Sequence, residues 1–193
     1  MSDEHPPEAA EAPADAAAQP SPPRRRRRSP LIDVAAVGGL ILVLVYLHIR
    51  VVQVVYVPTG SMKPTIQPGD RLLMSVGAYR KAKPKHGDII AFWAEGQGEF
   101  ELKRVIGLPG DEMFVGGGVV VRNGQRLKEP YLAEPMVREI PVGGRLKEGE
   151  LWVMGDNRNG SEDSRDYGPI LEKDLKGRIF YRILPLGRAG RVR

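Results

Sequence analysis

A chain of 193 residues with no cysteine must turn to serine or threonine for a covalent nucleophile, because a hydroxyl acts as one when a neighbouring base takes its proton. The choice of base is nearly as narrow. Of three histidines, His5 lies in a polar N-terminal stretch and His48 at the end of an apolar run. His86 sits in Lys83-Pro84-Lys85-His86-Gly87-Asp88, a turn-rich segment that reads as a solvated loop. A serine hydrolase here would therefore use lysine, a variant of the triad logic. A lysine base must be neutral. At an ordinary pKa of about 10.4 only about 0.04% is neutral at pH 7, whereas a value near 8 would give roughly 10%; desolvation is the usual means.

Most of the lysines stand beside proline, glycine or other charges. Lys103 instead lies inside Phe100-Glu101-Leu102-Lys103-Arg104-Val105-Ile106, closed by Gly107-Leu108-Pro109-Gly110-Asp111. Strand alternation puts Val105 on its face, and also Glu101, whose charge opposes the neutral form. On these residues alone, a solvent-facing strand lysine is the better reading. The matching nucleophile is Ser61, in Val57-Pro58-Thr59-Gly60-Ser61-Met62-Lys63-Pro64-Thr65. The flanking prolines stiffen the segment and Gly60 is free in φ, so the turn can present a hydroxyl with backbone N–H groups. A backbone N–H and the Thr59 hydroxyl could form an oxyanion site. An ordinary Gly-Ser turn accounts for the same residues. In the third cluster, Gly155 to Arg165, the carboxylates and Asn invite a calcium reading. Starting the loop at Asp156 puts Arg158 and Gly160 where oxygen ligands belong, so that pattern fails and a hydrogen-bonded structural loop remains.

These segments need elements to hold them. Residues 1–30 carry seven Pro, seven Ala, five acids and the run Arg24–Arg28, too little apolar surface to offset chain entropy, and read as a disordered tail. Residues 31–49 have only Asp33 and His48 ionisable; as a helix they reach roughly 28 Å, close to the ~30 Å hydrocarbon layer. No polar face marks a core helix, and no small-residue cleavage site follows. One uncleaved transmembrane helix is expected. The five Arg before it place the N-terminus in the cytoplasm and residues 50–193 outside. The net charge of +5 with few aromatics argues against a nucleic-acid binder. The absence of Cys excludes disulfides, thiolate metal sites and a lipoprotein anchor.

Gly and Pro abundance, 23 and 17, points to many turns and a β-rich fold. Strands are expected at Arg71–Val76, Asp88–Trp93, Phe100–Ile106, Val119–Arg122, Leu151–Met154 and Arg178–Leu184. Asn123-Gly124 marks a two-residue hairpin, Gly116–Gly118 and Gly96–Gly98 further turns, and Ile170–Lys176 a turn or two of helix. Val51, Val52, Val54, Val55, Tyr56 and Val57 carry more apolar groups than a strand with one buried face requires, which marks a lipid-facing patch.

Taken together, Gly60-Ser61-Met62-Lys63-Pro64-Thr65 with Gly69-Asp70, Gly87-Asp88-Ile89-Ile90, Lys103 to Asp111 and Gly155 to Arg165 resemble, in order, the type I signal peptidase (leader peptidase) family of membrane-anchored Ser/Lys-dyad proteases. The resemblance spans most of residues 57–168. It implies Ser61 as nucleophile and Lys103 as general base, with Thr59 and the Ser61 amide in the oxyanion hole. It further implies Ser161 as the hydroxyl orienting the lysine and Asp163 with Arg165 as structural support. Val57, Pro58, Met62 and Leu102 would line the substrate groove. The implied fold is a mostly β, antiparallel-sheet catalytic domain (50–193) with a small β insertion at about 112–150, preceded by one N-terminal transmembrane helix. The implied partners are preprotein signal peptides with small residues at −1 and −3, and the lipid bilayer. The expected site is a single-pass monomer in the bacterial cytoplasmic (inner) membrane, its catalytic domain extracytoplasmic, without metal, organic cofactor or nucleic acid. Two rivals remain: the self-cleaving repressors, which are cytoplasmic and carry a DNA-binding domain, and an anchored binding module with an inactive dyad.

Overall fold

The computed structural model describes residues 30–93, 100–137 and 141–192, and in its first helix the side chains of 34–46. The Arg24–Arg28 run and the Gly96–Gly98 turn lie outside the described residues. The chain divides into two compact units, Met1–Gly38 and Gly39–Arg193. The boundary falls within α1 (Pro30–Arg50), whose side chains from Val34 to Tyr46 are exposed. The apolar stretch 31–49 is thus helical in backbone. Among the described residues no helix is long and apolar enough to cross a membrane.

The rest of the larger unit is almost entirely antiparallel β. Its strands are β1 (Val52–Tyr56), β2 (Arg71–Val76), β3 (Ile89–Trp93), β4 (Phe100–Gly107), β5 (Glu112–Gly116), β6 (Val119–Arg122), β7 (Gln125–Arg126), β8 (Val142–Arg145), β9 (Glu150–Met154), β10 (Ile170–Leu171), β11 (Leu175–Leu184) and β12 (Gly190–Arg191). A short helix, α2 (Ser164–Tyr167), follows β9. The large sheet runs β1-β2-β11-β3-β4-β9-β10, with β12 on β11; a second sheet runs β7-β6-β5-β8.

Of the expected strands, β3 and β9 are buried on both faces over nearly their whole length, which reads in sequence as continuous hydrophobicity. In β3, Ile89 and Ala91 join Val57, Met62, Ile66, Leu72, Met74, Leu102 and Ile179, while Ile90 and Phe92 join Val105, Leu151, Val153 and Ile170. A third cluster, with Ile106, Met113, Val115, Val120, Leu146 and Trp152, connects the large sheet to the small one. Asn123 and Gly124 both have positive φ, 51° and 75°, and join β6 to β7 with Arg122 opposite Gln125, as a type I′ hairpin requires. Strands β5 and β8 and helix α2 were not expected. β8 is Val-Gly-Gly-Arg, which has little strand character of its own. At Ile170–Lys176 there is a two-residue strand and a single 3₁₀ turn, Glu172–Asp174.

Candidate active site

Ser61 lies on the loop joining β1 to β2, and the loop is held at both ends. At its base the Val57 N–H donates to Asp70 O (3.1 Å) and the Gly69 N–H to Val57 O (2.8 Å). Val57, Met62 and Ile66 anchor it in the core. Asp70 is fully buried and accepts from the Gln67 N–H at 3.0 Å, from Arg182 at 3.2 Å and from Arg188 at 2.5 Å. At the tip, Asn157 reaches over from the loop after β9. Its N–H donates to Ser61 O at 2.9 Å and its Nδ2 to Gly60 O at 3.1 Å. Thr65 Oγ1 donates to Asp156 Oδ2 at 2.5 Å. This clamp holds the tip of a turn whose flanks the prolines stiffen but whose Gly60 is free in φ.

Lys103 is positioned by the sheet itself. It stands opposite Ile90 on β3, and on its other side the β4–β9 ladder begins only at Arg104 and Met154. Beyond Met154 the chain leaves the sheet, so Lys103 lies where one flank opens toward the loops. The residue is only 4% exposed, so the solvent-facing reading of this strand lysine is wrong. Alternation held: Glu101, Lys103 and Val105 share a face. Lys103 Nζ lies 2.8 Å from Glu101 Oε2, the two side chains 5% and 12% exposed. The Tyr167 hydroxyl donates to the same Oε2 at 3.5 Å. Burial first, and then the Glu101 charge, raise the Tyr167 hydroxyl well above the usual phenol range, so it stays a donor.

The loop after β9 brings the remaining residues in. Asp163 caps α2, accepting from the Arg165 N–H and forming a capping box with Asp166. It also accepts from the Gly155 N–H at 2.9 Å and binds Arg165 through Nε and Nη2, both at 2.8 Å. Arg165 Nη2 donates to Ser161 O at 3.3 Å, and the Ser161 hydroxyl donates to Glu162 O at 3.4 Å. Gly155 has no space for a side chain: a Cβ there would collide with the Ser161 hydroxyl and with Ser61 O. The two serines therefore converge on one backbone point.

Under this loop runs a chain of charges that sequence reasoning missed. Arg104 forms a two-pronged pair with Asp156 (2.8 and 2.6 Å), and its guanidinium lies 4.1 Å from the centre of the Tyr131 ring. The fully buried Arg158 pairs with Glu129 at 2.8 and 2.5 Å. Desolvation alone would lower the Arg158 pKa, but Glu129 outweighs it and holds the value above the usual range. Glu129 and Tyr131 lie between β7 and β8, so the small sheet's connection braces the Asp156–Arg158 loop. No local pattern in sequence pairs residues this far apart.

Ser61, Lys103 and Thr59 line one cavity of about 200 Å³ together with Val57, Pro58, Met62, Leu102, Glu101, Phe100 and Glu162. Ser161, Asp163 and Arg165 do not line it. A larger cavity, about 670 Å³, is lined by His86, Asp88, Arg104 and Arg178 and contains neither Ser61 nor Lys103. His86 Nδ1 is 2.9 Å from Ile106 O, away from the Ser61 cavity. Among the described residues no group of acids and histidines could hold a metal. Chemically, the small cavity offers a hydroxyl, a buried amine and backbone amides, the components of acyl transfer.

The family profile described as "Signal peptidase, peptidase S26" matches residues 31–184. The chain therefore belongs to that family, and it is a peptidase. It is 37% identical over 171 residues to "Probable signal peptidase I-1" of Synechocystis sp., covering 84% of each chain. It is 36% identical to "Signal peptidase I" of Leptolyngbya laminosa, covering 91% of this chain and 90% of that one. A crystal structure of a signal peptidase I from Enterococcus faecalis aligns with 50% of this chain and 97% of its own at 31% identity, TM-score 0.45.

Proposed function

We propose that this peptidase is a membrane-bound serine endopeptidase that removes N-terminal signal peptides from exported bacterial preproteins through a Ser61/Lys103 dyad. The observation that carries the reading is a buried lysine and a turn-borne serine lining one small cavity. Ser61 Oγ attacks the scissile carbonyl as neutral Lys103 Nζ takes its proton. The developing oxyanion is met by the Ser61 N–H and the Thr59 hydroxyl. Lys103 then protonates the departing amine of the mature chain. Water activated by Lys103 attacks the acyl-enzyme and releases the signal peptide. Ser161 orients the lysine, with Asp163 and Arg165 fixing the loop that carries it.

Substrates carry Ala, Gly or Ser at −1 and a small residue at −3. In an extended peptide these positions point the same way, toward a groove that Val57, Pro58, Met62 and Leu102 line. The apolar segment 31–49, of whose side chains only those of 34–46 are described, anchors the monomeric enzyme in the cytoplasmic membrane with its N-terminus inside and the catalytic domain outside. Val51, Val54 and Tyr56 are 42%, 48% and 62% exposed, and Phe100, 55% exposed, stacks edge-on with Trp93 at 4.9 Å. Tyr56 and Phe100 also line the cavity, so this apolar rim faces lipid where substrate emerges.

The test is preprotein cleavage by the full chain in detergent. Ser61→Ala, Lys103→Ala and Lys103→Arg should each lose about 10³-fold or more in turnover, the arginine because a guanidinium stays protonated. The unfolding midpoint should hold in Ser61→Ala and fall in Lys103→Ala, which leaves the Glu101 carboxylate unpaired. A −1 Phe substrate should resist cleavage. Substantial turnover by Lys103→Arg, or efficient cleavage after −1 Phe, would sink the reading.

A further inference from the structure

The dyad lysine is not alone. Glu101 Oε2 lies 2.8 Å from Lys103 Nζ, and both residues line the Ser61 cavity. Their cross-strand neighbours on β3, Phe92 and Ile90, are buried and apolar. From α2 comes the Tyr167 hydroxyl, bonded to the same Oε2, with the Asp163 and Asp166 carboxylates nearby. From the preceding loop comes Glu162, and from β1 Tyr56. Among these groups Lys103 provides the cation and Glu101 is the anion in contact with it.

That arrangement suits an ammonium, whereas the proposed chemistry needs an amine. Between side chains only 5% and 12% exposed, an ion pair at this distance is held more strongly than at a surface. Loss of the proton from Lys103 to solvent leaves Glu101 as a nearly buried carboxylate with Tyr167 as its remaining donor.

We propose that Glu101 is a positioning residue that keeps Lys103 in a resting ion pair, with Tyr167 sharing the carboxylate, so that one proton must leave the pair before Lys103 can serve Ser61. Activity then rises with pH along a limb whose position Glu101 sets. The inference rests on the Ser61/Lys103 reading and adds a control to it. It also accounts for an acid on the face of a base, which the dyad alone leaves without a role.

The experiment is the pH dependence of kcat/KM for the full chain in detergent, using a quenched peptide with Ala at −1 and −3. Glu101→Gln keeps size and hydrogen bonding but removes the charge. It should move the rising limb at least one unit toward lower pH, raising kcat/KM below the limb by tenfold or more. Tyr167→Phe removes the shared donor, leaves the carboxylate to Lys103 alone and should move the limb upward. A Glu101→Gln limb that stays in place or moves to higher pH would overturn the proposal. If Glu101→Gln fails to fold, an unmoved limb in Tyr167→Phe overturns it instead. Lys103→Ala separates the two claims: activity retained there defeats the dyad, while a silent Lys103→Ala beside an unmoved Glu101→Gln defeats only the role of Glu101.

Discussion

The two halves of the site are positioned by opposite means. Lys103 is placed by the ladder of β4 with β3, so its location follows from strand pairing and needs no special contacts. Ser61 is on a turn, and the turn's tip is set by groups almost a hundred residues later in the chain: Asn157 on Gly60 and Ser61, and Asp156 on Thr65. A strand residue therefore inherits its position from the fold, and its neighbours decide its electrostatics. A turn residue depends on its clamps for position, and disturbing them should cost activity before it costs the fold.

The largest effect expected outside the dyad tests where those two means meet. Asp156 binds both the buried Arg104 of the lysine's strand and Thr65 of the serine's loop. Asp156→Ala leaves a buried guanidinium without its carboxylate and should destabilise the domain by about 3–5 kcal/mol, measured by urea unfolding. A loss below about 1 kcal/mol would mean the pair is not what joins the halves.

A smaller change in stability should accompany a sharper change in rate at Asn157. Asn157→Ala removes the side-chain bond to Gly60 and keeps the backbone bond to Ser61. Stability should fall by only about 1 kcal/mol, but a turn shifted by about 1 Å can cost on the order of a hundredfold in kcat. Unchanged kcat would show that the tip is rigid without its clamp.

The smallest effect on turnover lies away from the site, at Asp111, next to the junction with the small sheet. Burial alone would raise this carboxyl, but bonds from the Leu108 N–H, Arg122 and Asn123 outweigh it and hold the pKa below the usual value. A depressed folded-state pKa contributes stability above the unfolded value, and that contribution is lost as pH falls through the folded one. Asp111→Asn should therefore cost about 1–3 kcal/mol at pH 7, with the gap to the wild type closing below about pH 4. Turnover should hold at temperatures where the domain remains folded. A gap that persists into acid would assign the loss to packing rather than charge.

Much of this was legible in the residues. Ile89–Trp93 announces itself as a strand because both faces are apolar, Phe100–Ile106 because a short run is closed by the stop Gly107-Leu108-Pro109-Gly110, and Asn123-Gly124 as a hairpin because its turn type demands those residues. Glu101 was placed on the lysine's face by alternation alone, although that it forms an ion pair there depends on side-chain geometry. Ser61 and Lys103 each looked ordinary by themselves; only the ordered set of segments singled them out. What stayed hidden was contact between distant segments. Asn157 on Gly60, Glu129 on Arg158 and Tyr131 over Arg104 leave no local periodicity to read. β8, with two glycines in four residues, is a strand because β5 pairs with it, not because its residues prefer to be one.

The central claim, that Ser61 is the nucleophile and Lys103 its base, is tested most directly by covalent labelling. The full chain would be incubated with a penem-type acylating inhibitor and the adduct located by peptide mass spectrometry, in the wild type and in Lys103→Ala. The account predicts one adduct, on Ser61, formed at a rate that rises with pH in the wild type and falling by about 10³-fold or more in Lys103→Ala. An adduct on another residue, or labelling of Ser61 at an undiminished rate without Lys103, would contradict it.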